Sequence, residues 1–162
     1  MSTNPLLQTA GLPLFDQIRP EHVTPALDVL LQQAEAALEK VVGPDVPADY
    51  DTLSLLLDVA TENLGRAWGA VGHINSVADT PEIRAAYNEN LPRITEFYTR
   101  LGADERLYAK YKALAESEQG QSLPPARARA LKNALRGFVL GGAELQGQAR
   151  ERFAEIQELQ AA

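Results

Sequence analysis

His22 and His73 are the only imidazoles in this 162-residue chain, and they fall on different elements. Neither stands in an HExxH pattern and no Glu-x-x-His occurs, so a helical zinc or di-metal carboxylate site has no ligand set in the sequence. There is no cysteine, which excludes thiolate catalysis, disulfides and cysteine-ligated zinc. No GxSxG nucleophile elbow is present either. The pairs Glu35 with Glu39 and Glu155 with Glu158 lie at helical spacing and read as solvated faces. Acid–base work needs two carboxylates in contrasting environments. His22 is expected in the turn that enters the first helix, and His73 as a helix-packing imidazole. Arg127, Arg129, Lys132 and Arg136 make a local basic run, with Lys132 and Arg136 sharing a face. The run reads as a solvated face, or as a contact to a carboxylate on another domain or a substrate.

The block LGRAWGAVGHINSV, residues 64–77, is the other unusual stretch. Gly65, Gly69 and Gly72 recur three and four residues apart in a pattern that otherwise reads as helix. Each costs about 1 kcal/mol relative to Ala in a helix interior. Such a row predicts a neighbouring backbone packed very close. Trp68, His73 and Asn75 share the block, which makes Gly65, Trp68, Gly69, Gly72, His73 and Asn75 the candidate structural or channel-facing residues.

The elements that must position these residues are helices. Residues 1–24 carry Pro5, Gly11, Pro13 and Pro20, and cannot form one helix. Their leucines, with Phe15 and Ile18, suit an extended arm docked on a helical body, 25–162. Thr24 then Pro25 give a cap-and-proline start for a first helix, closed by Gly43 and Pro44. A second helix is expected from a cap near Asp51 to about Ser76. Thr80 and Pro81 open a third, to about Leu101, with Pro92 inside it as an expected kink. Its stripe is Ile83, Tyr87, Leu91, Ile94, Tyr98 and Leu101. A fourth spans about 104–117, EQGQSLPP is a loop, and a fifth runs from Pro125 to Leu140. Gly141-Gly142 separates a sixth from about Gln146. No period-two alternation appears, so the fold class is all-α: about six helices in an antiparallel bundle-like array. The last segment, ERFAEIQELQAA, has no capping Gly and no basic last turn. Its stripe is still running there, which predicts a cut inside a longer helical protein.

Composition bounds the rest. Apolar residues at 45% and charged ones at 23% suit a single packed domain. A net charge of −7 is repelled by phosphate backbones and anionic membrane surfaces, so neither nucleic acid nor membrane is expected as a partner. The N-terminal stretch lacks a basic start and a long apolar run, unlike a signal peptide. No run approaches the roughly 20 apolar residues of a membrane span. A cytoplasmic location is expected.

Four segments, in this order, carry a family resemblance: GLPLFDQIRPEHVTPAL, LGRAWGAVGHINSV, PEIRAAYNENLP and ALRGFVLGGAELQGQARERFAEI. Over about residues 4–160 they resemble the N-terminal region of oligopeptidase A-like members of the thimet oligopeptidase family, the M3 zinc metallopeptidases. The resemblance implies a hydrolase that cleaves short peptides with zinc held by HExxH and a later glutamate. Those residues belong to a catalytic part that this chain lacks, so no catalytic or metal residue carries over. It further implies a non-catalytic helical domain that forms one wall of the substrate channel and docks on the catalytic domain of the same polypeptide. No cofactor is expected in this chain, with zinc in the full-length family. The alternative is a free-standing helical module that binds peptides or a partner helix through an open stripe at Phe153, Ile156 and Leu159.

Overall fold

The computed structural model describes residues 4–161, which form helices and connecting turns with no strand among them. The cut expected at Ala162, and the first three residues of the arm, lie outside the described residues. Chain order gives a short 3-10 turn (Pro5–Leu7), α1 (Pro20–Val42), α2 (Tyr50–Leu53), a π turn (Ser54–Asp58) and α3 (Val59–Val77). Next come α4 (Pro81–Gly102), α5 (Glu105–Glu116), α6 (Glu118–Gln121), α7 (Pro125–Leu140) and α8 (Gly147–Ala161).

The first helix begins four residues before the Thr24–Pro25 signal. Pro20 takes the first helical position and His22 the third, where its Nδ1 accepts the Arg19 N–H at 3.0 Å. That reciprocal cap satisfies a donor the helix start would otherwise orphan. Thr24 is therefore free for another use, and its Oγ1 accepts from Asn90 Nδ2 on α4 at 2.8 Å. Pro25 lies on the exposed side of α1, where water can serve the carbonyl of Glu21 left without its partner. The second helix is capped by Asp49 rather than Asp51. The Asp49 carboxylate accepts from Thr52 N–H at 2.9 Å. The π turn at Ser54–Asp58, which no periodicity signals, widens the same run before α3.

Thr80 caps α4 as its sequence predicts, and the helix runs unbroken through exposed Pro92. Its buried face is Ile83, Ala86, Asn90, Ile94 and Phe97, so Tyr87, Leu91 and Tyr98 sit on the flank of the expected stripe. EQGQSLPP is not all loop, because Ser117 caps the short helix α6 by accepting from Gly120 N–H. The bounds of α7 agree with the cap-free Pro125 start and the glycine stop.

α1 and α4 run parallel, with α3 antiparallel and packed against both. Their cross-links keep a near-constant separation in sequence: Thr24 with Asn90, Asp28 with Arg93 (2.6 Å), Glu35 with Arg100 (2.7 Å). Past the break at Ala103 the register continues onto α5. Arg106 reaches Glu39, and Lys110 Nζ donates to the carbonyls of Gly43 and Val46 beyond the end of α1. A cation there opposes the negative end of the helix dipole. Two apolar clusters fill this frame. One joins the first half of α1 to α3, α4 and Leu6 and Ile18 of the arm. The other joins the second half of α1 to α2, α5 and α7.

Candidate functional site

The glycine row does not receive another backbone. A Cβ placed on Gly69 would meet nothing within 4 Å, one on Gly65 only the Tyr98 hydroxyl at 3.6 Å, and one on Gly72 only the Tyr87 ring at 3.8 Å. The expected tight helix crossing is therefore corrected to a bare strip of α3, with Gly65 and Gly69 exposed to solvent. The physical reason lies in α4, whose flank presents two tyrosine rings rather than a second row of small residues. Rings leaning over glycines fill space that a backbone would need.

The strip has two walls. On one side Trp68 stacks on Tyr87, with centroids 4.7 Å apart and planes 10° from parallel. Tyr98 stands further along, edge-on to Phe97, and its hydroxyl donates to the Thr61 carbonyl at 3.4 Å. Burial, with the Glu62 charge as a smaller cause, pushes the Tyr98 phenol above its ordinary pKa, so it stays a neutral donor. On the other side lies the arm. Arg66 donates to the carbonyls of Gln8 and Gly11, and Phe15 packs against the His73 ring at 5.3 Å. Helical periodicity puts the glycines between these walls. The result is a trough with a backbone floor.

Of the candidate residues, Gly65, Trp68, Gly69 and Gly72 thus share one face. His73 belongs to the arm side and is exposed. Asn75 is half-buried, and its Oδ1 has no hydrogen-bond partner among the described residues. Two of the wall residues, Trp68 and Tyr98, also line a groove of about 590 Å³ together with Leu91, Leu140, Phe153 and Gln157. Its walls are apolar and aromatic with few polar groups, as small-ligand and side-chain sites usually are. Gly102 and Gly141 also line this groove, where the ends of α4 and α7 meet. A Cβ on Gly141 would lie 2.6 Å from the Gly102 carbonyl oxygen. Gly120 makes a still closer local approach, to the Leu114 carbonyl, but the contact of Gly141 with Gly102 joins residues too far apart in sequence for any spacing rule.

The family resemblance implies zinc, and the described residues do not fit it. Among them, no group of three or more His, Cys, Asp or Glu side chains could hold a metal ion. His22 spends Nδ1 on its helix cap and His73 faces Phe15. No helix among the described residues is long and apolar enough to cross a membrane.

The sequence pattern of the neurolysin/thimet oligopeptidase N-terminal domain matches residues 27–150. Oligopeptidase A of Salmonella typhimurium is 40% identical over 154 residues, covering 95% of this chain and 23% of that protein. The probable cytosolic oligopeptidase A of Arabidopsis thaliana is 38% identical over 161 residues, 98% of this chain and 22% of its own length. An organellar oligopeptidase A of the same plant, chloroplastic or mitochondrial, is 37% identical over 161 residues and is covered to 20%. The chain thus spans less than a quarter of the length of these relatives.

Proposed function

The chain belongs to the neurolysin/thimet oligopeptidase N-terminal domain family, and from that premise we propose that it is the non-catalytic wall of a peptide channel in an oligopeptidase A-like zinc metalloendopeptidase. The observation that carries this reading is the glycine-floored trough. A bare helix backbone flanked by Trp68, Tyr87 and Tyr98 lets an extended peptide approach closely without side-chain obstruction. Zinc, its ligands and the general base then reside in the remaining length of the polypeptide, which would also be this domain's docking partner. Leu55 in the π turn and Val59 just after it stand 74% and 54% exposed, apolar surface of the kind such docking covers. Short peptides are the substrates of the whole enzyme in this reading. The cytosol is its proposed location, in keeping with the name of one plant relative.

The test is a chimera. Salmonella oligopeptidase A, with its own N-terminal region replaced by this chain, should cleave a quenched fluorescent peptide. The same enzyme with that region deleted should not. The isolated chain with added zinc should neither cleave the peptide nor retain stoichiometric metal after dialysis. Zinc-dependent cleavage by the chain alone would overturn the reading, as would a chimera no better than the deletion.

A second reading, a free-standing interaction module, is favoured by α8. Ile156 and Leu159 are 39% and 71% exposed there, while Phe153 is partly buried against the groove. Concentration-dependent self-association, abolished by Leu159→Glu, would favour it.

A further inference from the structure

The segment from Gln119 to Ala143 contains no Asp or Glu and four cations, in a chain of net charge −7. Most of α7, which it encloses, is exposed, with only Leu131 and Phe138 buried. Arginines elsewhere in the described residues are engaged: Arg84, Arg93, Arg100, Arg106, Arg150 and Arg152 with carboxylates, Arg19 and Arg66 with carbonyls. On α7, Arg127 pairs with Asp51 and lies over the Tyr50 ring. Arg129, Lys132 and Arg136 have no partner among the described residues. They occupy the face of α7 turned away from Leu131 and Phe138.

That face leads into the groove. Lys132, Arg136 and Leu140 follow one another four residues apart, a rise of about 6 Å per step. Leu140 is 66% exposed and lines the groove with Trp68 and Phe153. Alternate side chains of an extended peptide are spaced by about 6.6 Å, nearly the same interval. We propose that the outer face of α7 binds an extended peptide whose alternate residues read acidic, acidic, apolar. Its carboxylates meet Lys132 and Arg136, and its apolar side chain seats beside Leu140 in the groove. The inference rests on the peptide-facing reading above and adds the class of peptide. A nucleic acid fits the surface less well. The rest of the chain is strongly acidic, and the groove offers an apolar wall where a phosphate would need donors.

Trp68 is the only tryptophan and lines the groove, so its fluorescence reports occupancy. The probes are blocked peptides containing Glu-Ala-Glu-Ala-Leu, the reversed order, and the same peptides with Gln for Glu. Saturable change is expected with one Glu order at low salt, about tenfold weaker with its Gln version. Added salt should remove the difference. Lys132→Gln with Arg136→Gln should abolish the preference for Glu, and both positions are exposed. The salt series on the unsubstituted chain carries the same test without any variant. Equal affinity for Glu and Gln peptides would overturn the charge assignment and leave the peptide-facing reading standing. No response to any peptide would overturn the inference, while the chimera judges the reading separately. Tighter, cation-dependent binding of a short DNA duplex would also overturn it.

Discussion

Trp68 lies flat on Tyr87, two helices joined by one aromatic stack at the edge of a glycine strip. The pair closes one wall of the trough and covers one face of the indole. Aromatic pairs contribute about 0.5–1.5 kcal/mol beyond the area they bury. Tyr87→Leu should keep most of the apolar cover and lose that increment. Urea titration should read a loss of about 1 kcal/mol, and the emission of the lone tryptophan should shift to the red. An unshifted spectrum would mean that the stack is not formed in solution.

Gly69 of α3 and Gly141, which follows α7, should respond in opposite ways. Gly69→Ala adds a methyl group to open space in a helix interior and should stabilise by up to about 1 kcal/mol. Gly141→Ala drives a Cβ to 2.6 Å from the Gly102 carbonyl oxygen, where two backbones meet. It should cost about 1–3 kcal/mol, the usual range for overpacking. Paired thermal melts decide this. If Gly69→Ala destabilised the chain more than Gly141→Ala, the tight crossing would belong on α3 after all.

Those two positions also mark what could be read from the sequence. The Thr80–Pro81 start and the Pro125–Leu140 helix were legible because their signals lie within a few residues of the element they begin or end. The row Gly65, Gly69, Gly72 announced a side-chain-free face, but spacing alone does not say whether a backbone, a ring or solvent covers it. Gly141 meets Gly102, and Thr24 meets Asn90, across long separations that no local pattern encodes. The His22 cap is masked in the sequence by Thr24–Pro25, which offers the commoner signal two residues later. In each case a good local signal lost to a tertiary or less usual partner.

Asn90 is the fully buried polar side chain in the seam of α1 and α4. Its Nδ2 donates to Thr24 Oγ1 and the Ala86 carbonyl, and its Oδ1 accepts from Arg93 Nη1 at 2.9 Å. Arg93 in turn holds Asp28. Asn90→Leu should leave Arg93 less well held but orphan no buried donor, because the Thr24 hydroxyl is only partly buried. Asn90→Ala adds a cavity to the lost bonds. The alanine variant should therefore be the worse of the two, by about 1–2 kcal/mol in chemical denaturation. Equal losses would assign the whole cost to the hydrogen bonds.

Asp104 predicts the acid behaviour of the fold. It is buried at the break between α4 and α5, and its Oδ1 accepts the N–H groups of Arg106 and Leu107 at 2.9 and 3.1 Å. Arg106 clasps the same carboxylate while its other edge holds Glu39 on α1. Burial pushes the Asp104 carboxyl up, but the Arg106 guanidinium and the two backbone donors together outweigh it. The net pKa lies below the ordinary aspartate value. A carboxyl depressed in the folded state stabilises fully above its unfolded pKa, and that contribution fades as pH falls toward the folded one. Stability should therefore drop as pH passes below the ordinary aspartate range. Asp104→Asn keeps an oxygen to cap α5 and removes the charge. It should cost about 1 kcal/mol at neutral pH and flatten the acid limb of a urea-midpoint series. A variant curve parallel to wild type down to the lowest pH would place the acid-sensitive group elsewhere, with Glu39 the next to substitute.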